Sequence, residues 1–390
     1  MIALATASSG VAASLLPGGR TAHSRFKLPI NLDGIRTCNV RKQSMLAKLL
    51  LKTHLVIWDE APMSNKQHIE ASDSMLKDVT DKDIPFGRKV IVFGGDFRQV
   101  LPVVPKGNRQ DVMKLTLATS YIWPLLKKIK LVENMRARLD LKFLKFILRV
   151  GNGTEDELPG NMISIPSNIT LPYVDEQNSL EKLITAVYPN LSKYTAKIDA
   201  MSSRAILTTK NEFVDEVNSL LIHRFPGEVV RYYSFDEILN ENTSLVNLQF
   251  LNSLSLSGFH PHDLMLKKDC LVILLHNINP SEGLCNGTRL ICRRFEKNII
   301  DAEIATGHYK GKRVFLPRIP FIPNEEDKMP FKFKRRQFPI RLCFAMTINK
   351  AQGQTLNFVG IYLREPVFFS WSTLSCAFTC YHCDLHQSSY

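Results

Sequence analysis

VIWDEAPM, residues 56–63, decides how this chain reads. Four apolar residues run straight into two adjacent acids, Asp59 and Glu60. A short apolar run is the pattern of a strand buried in a parallel sheet. Ligands of open α/β sheets gather at the carboxyl ends of the strands, where these acids stand. A first acid there can hold a divalent cation and a second can orient and deprotonate a water. The plain alternative is a helix start, with Asp59 as N-cap and Glu60 favouring the helix dipole.

Two more apolar segments match the first, giving Ile2–Ala7, Leu55–Trp58 and Lys89–Phe93 as expected strands, with Met45–Leu51 and His68–Val79 as helices between them. Alternating strands and helices imply an α/β layer fold. The third strand runs into GGDFRQVLPVVP, residues 94–105, again at a strand end. A Gln or Asp there can touch a γ-phosphate and report its loss. Together with the paired acids this is the arrangement of a P-loop NTPase, Asp59 serving Mg2+ and Glu60 the attacking water. Farther on, Leu139–Val150 is an amphipathic helix candidate and GNGTEDELPGN, residues 151–161, a turn-rich boundary. Ala205–Thr209 with the helix NEFVDEVNSLLIHRF begins a second α/β unit. From Ser257 the texture changes to short strand-like runs, CLVILL and RLICRRF, separated by turns.

The 390 residues carry 50 Lys and Arg against 37 acids, a formal charge of +13. That excess favours a polyanionic partner, nucleic acid before an acidic membrane face. Basic residues concentrate between Arg289 and Arg341, and Phe331 and Phe333 interleave with the last group; this is either DNA contact or a solvated face. No apolar run approaches the roughly 20 residues of a membrane helix. Five of the eight cysteines, at 38, 270, 285, 292 and 343, lack a pairing rhythm and read as reduced thiols. The N-terminal stretch, free of acids until Asp33, has the composition of a mitochondrial transit peptide; a core strand followed by a functional loop is the preferred reading.

VIWDEAPM, GGDFRQVLPV, LVENMRA and MTINKAQGQTL, in that order, resemble the Pif-one-like DNA helicases, most of all the branch shared with Helitron transposons; the likeness runs from residue 2 to about residue 369. It implies two RecA-like P-loop NTPase domains with parallel sheets, the second carrying a small β-barrel insert. The implied boundaries are 1–138 for domain one, 139–200 for a helical connection, 201–256 with 337–369 for domain two, and 257–336 for the insert. It implies an ATP-dependent enzyme that unwinds DNA 5′ to 3′, with ATP and Mg2+ as cofactors and single-stranded DNA and forks as partners. Family roles lie in repair, recombination and telomere maintenance, in the nucleus or else the mitochondrion. The alternative is an inactive transposon-derived remnant that at most binds single-stranded DNA.

By the same likeness Asp59 is the magnesium acid, Glu60 the general base, Gln99 the γ-phosphate sensor and Arg136 a cation reaching that phosphate; a plain surface cation is the alternative for Arg136. Charge moves toward the β–γ bridge as the bond breaks, so a cation aimed there raises the rate by orders of magnitude. Gln352 and Gly353 are placed close to the nucleotide. TASSGVAASLLPGGRTAHSRF, residues 6–26, resembles the family's motif along the DNA track, with Thr6, Ser8 and His23 as contacts. Thr347 and Lys350 are placed near DNA phosphates.

Two departures stand out. The family's G-x-x-G-x-G-K-[ST], whose amides and lysine cradle the phosphates, does not occur in these 390 residues. The first sheet is therefore expected to lack its P-loop strand, and the chain as written to be poorly soluble and without ATP turnover. After LREPVF the family's S-H-G-Q-L-Y-L-A-L-S-R-V-T gives way to FSWSTLSCAFTCYHCDLHQSSY. A one-base shift of codons for the family stretch reproduces Phe369 and then Ser370 through Tyr381, so residues 370–390 are expected to be an out-of-frame tail. A zinc cluster of Cys376, Cys380, Cys383, His382 and His386 is the alternative.

Overall fold

The computed structural model describes residues 1–29, 38–99, 101–102, 104, 107–133, 140–159, 162–192, 198–239, 248–254, 259–323 and 331–364. Arg136 and the tail from residue 365 on, with its frameshift and zinc readings, lie outside them. The chain divides into two compact units. One holds residues 1–169 and 351–355, the other 170–350 and 356–364.

The first unit is built on a parallel sheet of four strands: β1 (Ile2–Ala7), β2 (Arg20–Thr21), β3 (Thr53–Asp59) and β4 (Val90–Phe93), in the order β2-β1-β3-β4. Helices α1 (Gly10–Leu15), α2 (Ala22–Phe26), α3 (Met45–Lys52) and α4 (Lys66–Thr80) connect them, and α5 (Arg109–Leu115) and α6 (Leu141–Asn152) follow. Each helix start has a chemical cause. Ser9, Thr21, Ser44, Asn65, Asn108 and Asp140 all turn a side-chain oxygen onto an otherwise unpaired N–H of the first turn. The core gathers Leu4, Val56 and Trp58 from the strands with Phe26, Leu50, Ile69 and Leu76 from the helices. Trp58, stacked on Phe26 at 5.4 Å, is the largest side chain buried there. Strand β4 is the sheet's edge among the described residues, with Val90 61% and Val92 49% exposed. The helix over 68–79 and the strands around 55–58 and 89–93 thus appear where the hydrophobic pattern puts them, within a residue or two.

A short hairpin, β5 (Glu157–Leu158) and β6 (Met162–Ile163), closes the first unit. In the second, β7 (Arg204–Thr208) is the middle of a parallel sheet, flanked by β18 (Ala345–Thr347) and β19 (Phe358–Tyr362). Helices α7 (Glu176–Val187), α8 (Ile198–Ser202) and α9 (Asn211–Arg224) accompany it, and α11 (Ile348–Ala351) follows β18. Asn218 of α9 pins the sheet from within. Its amide nitrogen donates to the carbonyls of Leu342 and Ala345, both at 3.1 Å, and its oxygen accepts from the Ala345 N–H at 2.8 Å. A buried amide with both ends satisfied specifies one register at little cost.

The β-rich part interrupts this sheet between β7 and β18. Strands β11 (Leu271–Leu274), β12 (Arg289–Phe295), β13 (Ile299–Ile304), β14 (Arg313–Pro317) and β17 (Ile340–Leu342) form an antiparallel sheet ordered β14-β13-β12-β11-β17. Strands β9 (Phe235–Ile238), β15 (Ile319–Phe321) and β16 (Phe333–Gln337) form a second, and β8 (Val229–Tyr233) pairs with β10 (Asp263–Lys267). Among the described residues these strands pair as three sheets, of five, three and two strands. The β-rich character starts at Val229, ahead of the change of texture at Ser257, because β8 and β9 pair with strands beyond it.

Two buried arginines hold this part together. Arg335 is fully enclosed and meets Asp236 through two nitrogens, Nε at 3.0 Å and Nη2 at 2.7 Å, while donating to the carbonyls of Leu251, Leu254 and His260. Leu251 belongs to α10 (Leu248–Ser253). Arg289, also fully enclosed, donates from its two terminal nitrogens to the carbonyls of Ser202, Arg204 and Cys343, while its Nε has no partner among the described residues. A buried charge needs this many hydrogen bonds because its desolvation costs several kcal/mol (~ per ion). Phe331 and Phe333 are core residues around Phe259, at 6% and 0% exposure, so the aromatics that interleave with the basic run are not its stacking surface.

Candidate active site at the strand ends of the first unit

Asp59 is the last residue of β3, level with Ala7 of β1. One carboxylate oxygen accepts the main-chain N–H of Glu60 at 3.0 Å. Glu60 itself takes a left-handed conformation, φ 52° and ψ 37°, uncommon for a residue with a β-carbon. That turn swings the chain out of the sheet and brings Ala61 back to donate to the carbonyl of Gly94 at 2.9 Å. The Gly94 N–H in turn donates to Trp58 O at 2.9 Å. The loop after β4 is thereby laid directly on the loop after β3. Glycine is required for it: a Cβ at Gly94 would stand 3.2 Å from the Asp59 carboxylate, and one at Gly95 would stand 2.2 Å from Cδ of Pro62.

Gln99 and Glu60 are joined by a third side chain. Nε2 of Gln352 donates to Glu60 Oε2 at 3.2 Å and to Gln99 Oε1 at 3.1 Å. Residues 351–355 cluster with the first unit, and Gln352 is buried there. Its other end, Oε1, is buried without a partner among the described residues. Gly353 beside it adopts φ 77°, and a Cβ there would come within 3.5 Å of the Ala12 nitrogen. Asp59 has no ion pair among the described residues. A carboxylate free of cations, a second carboxylate, a held amide and an orphaned acceptor fit a hydrated divalent cation with a polyphosphate.

The other expected contacts fall in two places. Ser8 follows β1; its hydroxyl accepts from the Trp58 indole at 3.1 Å and shares a hydrogen bond with Ser64 at 2.7 Å. Thr6 is fully buried and its hydroxyl has no partner among the described residues. His23 is exposed and packs edge-on against His68, ring centres 4.6 Å apart. Desolvation first, and then the facing His23, push the His68 imidazole down to about 4. Thr347 and Lys350 lie in the second unit. Thr347 is level with Thr208 across the β18–β7 pair, and the Lys350 ammonium donates to Asn286 at 2.7 Å. Burial lowers the Lys350 pKa.

Sequence reasoning did not find the Trp58–Ser8 bond, the buried Arg289 or the bridge made by Gln352. The first had a signal, a Trp one residue before the paired acids. The others join residues far apart in the chain, and no local pattern announces them.

The chain is similar to known proteins in sequence and in fold. Residues 1–160 match the PIF1-like helicase family, and residues 249–295 match the 2B domain of DNA helicase Pif1. The ATP-dependent DNA helicase PIF1 of Xenopus laevis is 24% identical over 378 residues, covering 93% of this chain and 50% of that protein. The ATP-dependent DNA helicase Pif1 of Bdellovibrio bacteriovorus is 25% identical over 359 residues, covering 90% of this chain and 70% of that protein. A Bacteroides Pif1 helicase crystallised with ADP-AlF3 and single-stranded DNA superimposes with a TM-score of 0.67 at 20% identity, over 98% of this chain and 80% of that one. The Candida albicans Pif1 helicase does so with a TM-score of 0.63 at 20% identity, over 97% and 82%.

The fold is therefore the two-domain RecA-like α/β architecture with parallel sheets. In sequence the chain is similar to the PIF1-like helicases, over residues 1–160 and again over the 2B segment at 249–295. It spans about half the length of vertebrate relatives such as the Xenopus protein (50%).

Proposed function

We propose that this protein couples ATP hydrolysis to 5′-to-3′ movement along single-stranded DNA and to the unwinding of forked duplexes. The observation that carries the reading is the convergence of Glu60 and Gln99 on Gln352, beside Asp59 at the end of β3. Asp59 would hold Mg2+, and the ion, when bound, neutralises charge on the phosphates. Glu60 would orient a water and take its proton. Gln352 keeps the Glu60 carboxylate aimed and ties it to Gln99, so that a change at the γ-phosphate end is felt at the base. Arg136 is assigned the stabilising cation. Gly353 gives the chain its close approach; Ser8 and His23, with Thr6 behind them on the buried side of β1, are assigned DNA contacts in the first unit, and Thr347 and Lys350 are assigned DNA contacts in the second. Work in DNA repair, recombination or telomere maintenance, in the nucleus or mitochondrion, is part of the same reading.

The second reading is a DNA-binding protein without turnover, and the absence of G-x-x-G-x-G-K-[ST] from the 390 residues favours it for the chain taken alone. Two measurements separate the readings. The 390-residue chain and the longest product of its gene are each assayed for phosphate release with and without single-stranded DNA, and for binding to oligo-dT across a salt series. Stimulated release abolished by Glu60→Gln establishes the motor. Salt-dependent binding without release in either form leaves the second reading. Absence of oligo-dT binding in both forms rejects the two together.

A further inference from the structure

Two aromatic rings stand in solvent on the β8–β9 segment, Tyr233 at 52% and Phe235 at 65% exposure. The segment alternates: Arg231, Tyr233, Phe235 and Glu237 are exposed, while Tyr232 and Ser234 between them are buried. Residues two apart on an extended chain face the same way about 6.6 Å apart. Both side chains are therefore presented on one side of the segment, the Tyr233 ring with its centre 5.6 Å from that of His262.

Cations frame them. The Arg318 guanidinium sits 5.4 Å from the centre of the Phe235 ring and 4.8 Å from that of Phe338, and donates to the carbonyl of Tyr233 at 2.7 Å. Arg336 is level with Phe235 across the β16–β9 pair and is exposed. Arg231 meets Asp263 and Lys334 meets Glu237, but Arg318 and Arg336 have no acidic partner among the described residues. The two acids on this rim, Asp263 and Glu237, are each matched by a cation of their own, which leaves the Arg318 and Arg336 charges in excess. Exposed rings beside unneutralised guanidinium groups suit a ligand carrying planar bases on an anionic backbone.

We infer that this face is a stacking platform for single-stranded nucleic acid, Tyr233 and Phe235 taking bases and Arg336 and Arg318 the adjoining phosphates. None of the motif residues belongs to it. It rests on the nucleic-acid part of the proposed function and needs no ATP turnover. Arg318 has a positioning role as well, since its contacts with the Phe338 and Tyr232 rings fix the Tyr233 carbonyl and the strand it lies on.

The test is photocrosslinking of the intact chain to oligo-dT bearing 5-iododeoxyuridine, with peptide mapping, beside anisotropy titrations with labelled oligo-dT. Label on the peptide holding Tyr233 and Phe235 is expected. The double variant Tyr233→Ala/Phe235→Ala should bind roughly tenfold or more weakly, since each stack contributes to affinity. Phe235→Leu, which keeps an apolar side chain without a π-face, should also weaken binding, and Phe235→Trp should restore it. Thermal unfolding of each variant checks that the fold is retained. Label confined to other peptides, with affinities within about twofold of the parent, overturns the inference. So does unchanged DNA affinity with loss of self-association in the alanine variant, which would assign the face to a second copy. Label at this peptide in a protein without ATP turnover upholds the platform while the motor fails; turnover with label only elsewhere removes the platform alone.

Discussion

The carboxylate of Asp59 accepts the main-chain N–H of Glu60 at 3.0 Å, and Glu60 makes that bond from a left-handed conformation. One acid thus orients the next. The turn costs on the order of 1 kcal/mol or more for a residue with a side chain, and the hydrogen bond and the contacts with Gly94 offset it. In a form of the protein that turns over ATP, Glu60→Gln is expected to lower kcat by roughly 10²–10⁴ and to leave oligo-dT affinity unchanged. Phosphate release and anisotropy on the same preparation check it.

Gly95→Ala should destabilise the first unit by about 1–3 kcal/mol, because the new methyl meets the Pro62 ring and the backbone stands at φ 150°. Gly153→Ala, at a helix end with open space around it, should cost less. Chemical denaturation of the two variants compares them; equal losses would mean that the two strand-end loops do not pack as described.

Ser8→Ala leaves the buried Trp58 indole without its acceptor and Ser64 without its partner, an expected loss of about 1–3 kcal/mol. Trp58→Phe removes the donor as well as some packing. In a double-mutant cycle the two changes should couple by roughly 0.5 kcal/mol or more. Additive effects would remove the indole–hydroxyl bond from the account.

Arg335→Met strands the Asp236 carboxylate in the core and should cost about 3–5 kcal/mol. Adding Asp236→Leu should recover part of that loss, because no uncompensated charge remains. A double variant less stable than Arg335→Met alone would contradict the geometry.

His260 is buried with neither ring nitrogen bonded among the described residues. Burial first, then the facing His276 at 4.9 Å and the Arg335 guanidinium, push its pKa down to about 3. The unfolded chain therefore binds more protons than the folded one between the usual histidine value of about 6.5 and about 3. Stability supplied by neutral His260 is present above that window and is lost as pH falls through it. His276, lowered by burial and then by Lys350, adds in the same direction. His260→Phe should flatten the fall in melting temperature below about pH 6.5. An unchanged slope would place the titrating group elsewhere.

How much of this was legible beforehand follows from the range of the forces involved. The strand through VIWDE, the glycine loop after β4 and the helix at Lys66–Thr80 are local patterns, and they form where hydrophobic spacing, caps and turn residues put them. The order of the motifs sufficed to show the likeness to the PIF1-like helicases, because each motif is a short local run that needs no distant partner to be read. Other features depended on which side of a strand faced water. Phe331 and Phe333 read as surface aromatics in a basic run and are core; Tyr233 and Phe235 drew no notice and are exposed. A register slip of one residue exchanges those two outcomes, and register is set by partner strands distant in sequence. The Gln352 bridge and the enclosed Arg289 and Arg335 likewise exist only once distant segments have met, since a buried polar group is affordable only where several partners converge on it. Composition and motif order carried the kind of protein this is; the packing of remote segments settled which side chains hold the acids, which charges are enclosed, and which rings remain in water.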